Sequence, residues 1–588
     1  MNWDLSQLYS SFDSENFQDD ILLLTKLINS YNNWCEKNLK NSIPSPKTIV
    51  NYINQKCNIE GLLSKLYNYS SLESAKNSRN ETALAKVEEI EQLQTLLTTS
   101  EVQFQRYVSQ IEDMNSFLAD YPLLSQHEYY IKKSKENASY LLSDKEELIL
   151  SKIKNIASNA WQRLYELATS THLVPITIDK EAKKLPLAVV RNMAFDKDKE
   201  VRFSAYQAEL ESYKTIDDTV AACLSNIKGE VITECSLRKH SDVLNMTLIQ
   251  CGLSKKAFFS LMHSIEKYLP IFRNYLKIKA KYLGYDGALP FYDLFAPVGS
   301  YHKSFDLNDA EKFIVKHFND FSPDLSEFAK NAFEKQWIDA FPQEGKVGGA
   351  FCANIHPIKE SRILANFTGN FEDVTTLAHE LGHAFHNECL KNDSLLNSDP
   401  PLPLAETASI FFETLILNAA IKEVDESSEL TLIENNLASL TQTIVDIYSR
   451  FLFEESVFKE RKKGSLSSEK LCMLMKQAQM TAYGDGLDQE YLHPYMWLCK
   501  PHYYSASANY YNFPYAFGNL FALGLFEIYQ KEPQSFSSKM VKLLRSTSKN
   551  DIVDVIKTIN IDIENESFWT NTLEHIARQV NTFKSLCN

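Results

Sequence analysis

Small flexible residues are scarce in this sequence. Sixteen glycines and eighteen prolines are spread over 588 residues, too few to punctuate a chain of many short strands, so a mainly helical architecture is expected. The ten cysteines form no CxxC pair, which argues against a disulfide framework and for free thiols in a reducing compartment. Positive charge is also in deficit. The formal net charge is −15 and the pI about 5.5, which argues against a dominant nucleic-acid-binding role. The first residues, MNWDLSQLYSSFDSENF, lack the basic and then apolar order of a secretory signal. The stretch read as most apolar, 516–529, is short and interrupted by glycine, so no membrane span is expected. A cytoplasmic location is the expectation that follows. No internal repeat is evident.

Hydrophobic residues are plentiful at 44%, with 12% aromatic, enough to build a large packed interior rather than a disordered chain. A chain of this length should form more than one lobe. Phe17, Ile21, Leu24, Ile28 and Tyr31 recur at three- and four-residue intervals, the pattern of an amphipathic helix over 16–36. Residues 81–119 read as further helices. Ser143 and Glu146 have capping-box spacing, ahead of an apolar face of Ile149, Ile153, Ile156 and Ala160. Strand-like runs are expected at 173–178, 347–355 and 363–367, with HPIKESR as the connection between the last two. A soft boundary near residue 190 divides an N-terminal helical region (1–190) from a second region (191–588).

The segment with the clearest chemistry is DVTTLAHELGHAFHNECL, residues 373–390. His379 and His383 are four apart, so a helix places both imidazoles on one face, where they can share one metal ion. Zinc suits neutral imidazole donors, in tetrahedral geometry. Glu380, one position on, can face the water on the metal rather than the metal itself. Asp373 is a plausible helix cap and Val374, Leu377, Ala378, Leu381, Ala384 and Phe385 a buried side. The pattern alone leaves a competing reading in which both histidines are ordinary hydrogen-bonded residues. A catalytic site needs a third protein ligand. Glu406, in the apolar run PPLPLAETASIFFETLILNAAI, is the candidate, because a carboxylate inside an apolar helix costs free energy unless it is paired or bound to metal. Glu413 lies on the same face, either solvated or orienting a ligand histidine. His386 is expected to support the ligands or to pack in the core.

HELGHAFH followed by LAETASIFFET resembles the oligoendopeptidase F and thimet oligopeptidase family of zinc metallopeptidases. WDLSQLY near the start, DKEVRFSAY (198–206), FYDLFAP (291–297), and GKVGGAFCANI with ILANF are similar to segments of the oligoendopeptidase F branch. The resemblance therefore covers nearly the whole chain. It implies a neurolysin-like zincin fold, mainly α, with two helical lobes around a deep substrate channel and a small β-sheet beside the zinc helix. It implies one Zn2+ per chain held by His379, His383 and Glu406, and cleavage of internal bonds in short unfolded peptides by a zinc-bound water that Glu380 activates. HYYSASANYYNFPYAFG (502–518) matches the family's substrate loop, which assigns His502, Tyr511 and Tyr515 to substrate contact and oxyanion stabilisation. Tyr503 and Tyr504 read as core. The run 347–355 would line the cleft as an edge strand, with Ala350 and Phe351 as backbone contacts to a peptide. Cys352 is not expected to act as a nucleophile. Two other functions stay in view: a peptide-binding protein without activity, and a different zinc hydrolase such as an aminopeptidase.

Overall fold

A computed structural model describes residues 2–587 apart from Asp120, Asp179 and His302. About 70% of the chain is helical and about 4% strand, so the expected mainly α class holds. The chain folds as two compact units, each assembled from separated segments. The first comprises Met1–Leu141, His302–Ala419 and Ile528–Ile561; the second comprises Leu142–Tyr301, Ala420–Glu527 and Asp562–Asn588. This division does not coincide with the boundary expected near residue 190. Compactness follows contacts between distant segments, and local composition carries no record of them.

In the first unit, the helix Glu15–Asn38 buries Phe17, Ile21, Leu24, Ile28 and Tyr31, the face its spacing announced. It packs with the helix Pro46–Lys76 in one apolar core, which also takes in Ile355 and Leu364 of a three-stranded sheet. That sheet is made of β3 (Ile338–Asp339), β4 (Phe351–Ile355) and β5 (Glu360–Leu364), in the order β3-β5-β4, with β4 antiparallel and β3 parallel to β5. The two expected strands are present but shifted. Residues 347–350 stay outside β4, where Gly349 takes φ +80°. The turn shrinks to His356–Lys359, with Lys359 at φ +56°, so β5 opens at Glu360 rather than Ile363. After Leu364 the backbone continues onto the β3 segment, Ala365 N–H donating to Asp339 O at 2.8 Å and Phe367 N–H to Ala340 O at 2.7 Å. β4 is an edge strand of this sheet, as expected.

The apolar helical run nearest to membrane-crossing length and composition is Leu402–Ile421 rather than 516–529, and just over half of it is buried. Its apolarity has a local cause. Phe411 and Phe412 are fully buried and pack on Phe321, and Phe412 also on Phe318.

The second unit opens with the predicted capping box. Ser143 Oγ accepts from Glu146 N–H while the Glu146 carboxylate accepts from Ser143 N–H. The apolar face beyond it forms but faces solvent. The helix Asp144–Ile156 buries no residue, Ile149, Ile153 and Ile156 are exposed, and a break at Ala157 puts Ala160 on the next helix, Ser158–Ser170. Amphipathic spacing shows that a face is apolar but not that another element covers it. The strand β1 (Leu173–Ile178) matches its expected range and pairs with β2 (Glu181–Pro186). Deeper in this unit, buried charges are paired. Lys279 bonds Glu434 at 2.6 Å, and Arg202 bonds Asp293 at 2.7 Å. All ten cysteines are free thiols.

The first unit has its own buried pair beneath β3. Lys346 Nζ donates to Asp339 Oδ1 at 2.6 Å and to the carbonyls of Asp339 and Phe341, with both side chains fully buried. Removing one partner strands the other charge, at a cost of about 3–5 kcal/mol. Lys346→Met should therefore lower the urea midpoint by an amount equivalent to that loss. A change below about 1 kcal/mol, the range of an exposed pair, would show that the pair does not anchor the strand.

Candidate metal centre

The helix Phe371–Leu390 starts three residues earlier than a cap at Asp373 would place it. Asn370 is the N-cap and Asp373 the third helical residue, and together they form a capping box. Asp373 Oδ2 also accepts from the N–H groups of Thr368 and Gly369, at 2.7 and 2.9 Å, so the chain entering the helix is tied down. Val374, Leu377, Ala378, Leu381 and Ala384 are buried. This fixes the rotation of the helix and aims the His379–His383 edge at a second element.

That element is the Glu406 turn. Glu406 does not lie inside a helix, as read from the sequence. It sits at the joint between Leu402–Ala405 and Thr407–Ile421. The joint lets its carboxylate turn toward the imidazoles, with Ser409 Oγ donating to Oε2 at 2.9 Å. Glu406 Oε2 stands 3.3 Å from His379 Nε2 and 3.3 Å from His383 Nε2. The three ligand atoms lie within 4.8 Å of one another. Tetrahedral zinc with bonds of about 2.0–2.1 Å needs donors about 3.3–3.4 Å apart. The donor set thus fits zinc in both chemistry and spacing.

The surrounding charges favour the same conclusion. His379 Nδ1 is 3.0 Å from Glu413 Oε2, which holds the proton on Nδ1 and leaves the Nε2 lone pair free for an ion. Burial opposes a charged His379, yet the Glu406 and Glu413 carboxylates raise its pKa to about 10. Glu406 is held far below the ordinary carboxylate range despite its burial, by hydrogen bonds to both histidines. Glu380 is 6% exposed, its carboxyl pushed up by burial, and its Oε2 has no hydrogen-bond partner. Three carboxylates around two imidazoles leave an excess of negative charge that a cation would balance.

Close approach of the two segments depends on Gly382, between the histidines. A Cβ there would stand 2.5 Å from Ser409 Cα and 2.8 Å from Ala408 O, both backbone atoms. The sequence reading passed over this residue, although a glycine in mid-helix is itself a sign of close packing.

His386 is 2% exposed and bonds Thr547 Oγ1 at 2.9 Å. Burial lowers its pKa to about 3 while the carbonyls of Leu544 and Ala405 oppose the shift. It therefore ties the helix to the residue before Glu406 rather than joining the ligand atoms. Cys352 is in β4, its thiol pushed up by burial and by the facing Glu380, the opposite of what a nucleophile needs. Phe351 opens β4, and Ala350 precedes it.

His502, Tyr511 and Tyr515 all belong to the second unit and form one cluster there. His502 stacks on Tyr511 at 4.9 Å, and the Tyr515 hydroxyl lies 3.1 Å from that of Tyr511. Burial, then Arg450 and Lys500, lower the His502 pKa. Tyr503 and Tyr504 are buried, Tyr504 stacked on Tyr165 at 3.6 Å, as the core reading had it. The anchors of this loop were invisible in the sequence. Lys228 is fully buried and bonds Glu454 at 2.7 Å and Asn509 at 2.9 Å, while Glu454 also accepts from Tyr510 N–H at 2.9 Å. These bonds hold Tyr510 at φ +50°, immediately before Tyr511.

Comparison with known proteins gives the family. The sequence model of peptidase family M3 matches residues 192–575. The chain belongs to peptidase family M3. It is thereby a metallo-endopeptidase. A model named oligopeptidase F matches residues 110–171. Group B oligopeptidase PepB of Streptococcus agalactiae is 25% identical over 88% of this chain and 85% of its own length. An oligoendopeptidase F homolog of Lactococcus lactis is 23% identical over 100% of this chain and 97% of its own. Among solved structures, oligoendopeptidase-F from Enterococcus faecium superposes with a TM-score of 0.72 at 18% identity, covering 97% of this chain and 99% of its own. The oligoendopeptidase F resemblance read from the motifs is therefore borne out.

Gly382→Ala should cost about 1–3 kcal/mol by overpacking. Because the clash is with the backbone beside Glu406, metal affinity should fall as well. A variant with unchanged stability and zinc affinity would show that the approach is not close enough to matter.

Proposed function

We propose that this chain is a zinc-dependent endopeptidase that cuts internal bonds of short unfolded peptides. The observation that carries the reading is the trio of donor atoms at zinc spacing, beside a buried glutamate with an unpartnered oxygen. His379, His383 and Glu406 would hold one Zn2+, which when bound supplies Lewis acidity toward water and the scissile carbonyl. Glu380 takes the proton from the attacking water and passes it to the leaving amine. Its unpartnered oxygen keeps that acceptor site open. Glu413 fixes the tautomer of His379, and His386 steadies the approach to Glu406. His502, Tyr511 and Tyr515 are assigned by resemblance to substrate contact and to the developing oxyanion. The edge strand β4, with the residue before it, would add a peptide through main-chain bonds at Ala350 and Phe351, which suits tolerance of many side chains. The names of the relatives support oligopeptides as the substrate class. Ten free thiols support a cytoplasmic setting, and neither a nucleic acid nor a membrane partner is called for.

Glu380→Gln should retain one zinc per chain and lose hydrolysis of a short peptide by about 10²–10⁴-fold or more. Full activity in the metal-replete variant would remove Glu380 from the mechanism. Mass spectrometry of peptides digested by the unaltered protein should show internal cuts. Single-residue trimming would favour an aminopeptidase, and intact peptides a binding protein.

A further inference from the structure

The second unit contains a cavity of about 210 Å3 between the segment 190–195, the helix Lys199–Tyr213, FYDLF and residues 493–500. Its charges are unevenly satisfied. Arg202 is engaged at two nitrogens, with Nε on Asp293 at 2.7 Å and Nη1 on the carbonyls of Asp196 and Lys197. Glu209 accepts the Tyr213 hydroxyl at 2.7 Å and lies 3.2 Å from His493 Nε2. The remaining cations fare worse. Arg191 Nη1 stands 3.8 Å from Glu209, beside the Cys499 thiol. Lys500 Nζ makes no hydrogen bond or ion pair among the described residues, and the carboxylate facing it, Asp446, is engaged by Arg450 at 2.5 Å. Burial lowers the Lys500 pKa; Asp446 opposes the shift, and Arg450 and Arg191 add to it. Lys500 thus meets the cavity without a hydrogen bond of its own, and Arg191 has only the distant Glu209 and the Cys499 thiol beside it, so an anion entering between the two cations would be well received.

The walls determine what kind of anion. Phe195, Phe291, Tyr292, Phe295 and Met496 line the cavity. Phe195 is 60% exposed, its ring 4.8 Å from that of Phe295, so a large apolar side chain is presented at the rim with room beside it. Ligand pockets usually run to about 300–1,000 Å3, so this smaller one suits a body of amino-acid size. Arg191, Arg202, Lys500 and Arg450 face Glu209, Asp293 and Asp446, which leaves one positive charge in excess and favours a monoanion over a phosphate. A guanidinium and an ammonium side by side can take both oxygens of a carboxylate.

We propose that this cavity binds a small carboxylate with an apolar or aromatic body, the chemistry of a peptide's C-terminal residue. Arg191 and Lys500 take the carboxylate, and Phe195, Phe295 and Met496 take the body. The proposal does not rest on the hydrolytic reading, and its test reads binding.

Calorimetric titration of the full-length protein with N-acetylphenylalanine and with its amide tests it. The acid should bind at least ~10-fold more tightly than the amide, a difference of about 1.4 kcal/mol. Lys500→Met should abolish that preference, whereas a carboxylate bound at the His379–His383–Glu406 centre would be indifferent to it. Phe195→Ala, at an exposed position whose loss leaves the core intact, should weaken acid and amide alike. A longer peptide ending in phenylalanine, as acid and as amide, offered to Glu380→Gln so that it stays intact, separates the sources. The same preference in the peptide supports entry of peptide termini, and preference confined to the single residue supports free carboxylates. Equal binding of acid and amide, an acid preference that survives Lys500→Met, acid binding unchanged in Phe195→Ala, or inorganic phosphate competing as well as the acid would each overturn the proposal.

Discussion

Two imidazoles and three carboxylates meet where the helix Phe371–Leu390 crosses the Glu406 joint, and that crossing depends on the bare backbone of Gly382. Without a cation the arrangement is expensive. His379 is forced toward its charged form by Glu406 and Glu413, and Glu380 is buried with an oxygen unsatisfied. With a cation the same groups become an ordered donor set in which every charge has a purpose. The capping box at Asn370, the buried face from Phe371 to Phe385, and the His386–Thr547 bond all fix helix rotation or the position of the joint. They can be understood as the cost of holding ionisable groups a few ångströms apart in a largely apolar surround.

A different device serves the second unit. There the loop that carries His502 and Tyr511 is held by a buried ion pair, Lys228 with Glu454, whose remaining acceptor takes the backbone N–H of Tyr510. A left-handed residue that is not glycine is strained, and here a charged bond offsets the strain directly before Tyr511. The neighbouring cavity around Lys500 shows the reverse condition, a cation without a partner. One set of charges is spent on shape, and the other is left to meet a ligand.

What the sequence revealed and what it concealed divide along physical lines. Local rules were legible: the three-four spacing from Phe17 to Tyr31, the Ser143–Glu146 box, the run 173–178, and the i, i+4 pairing of His379 with His383. Each is set by residues within one or two turns of each other. Glu406 was found as a polar exception in an apolar run, but the helix break that aims it was not, because Glu in a turn and Glu in a helix leave the same trace. Ile149, Ile153 and Ile156 have the pattern of a buried face and are exposed, since burial depends on what the rest of the chain supplies. For the same reason the discontinuous units, the register of β4 on β5 and the partners of Lys228 left no local sign.

The central claim is that His379, His383 and Glu406 bind zinc in preference to the ten free thiols of the same chain. X-ray absorption at the zinc edge, on protein loaded with one equivalent of the metal, tests it directly. The account predicts a nitrogen and oxygen shell at about 2.0–2.1 Å with outer scattering from two imidazoles, lost in His383→Ala. A sulfur shell near 2.3 Å, or a spectrum unchanged by that substitution, would contradict it.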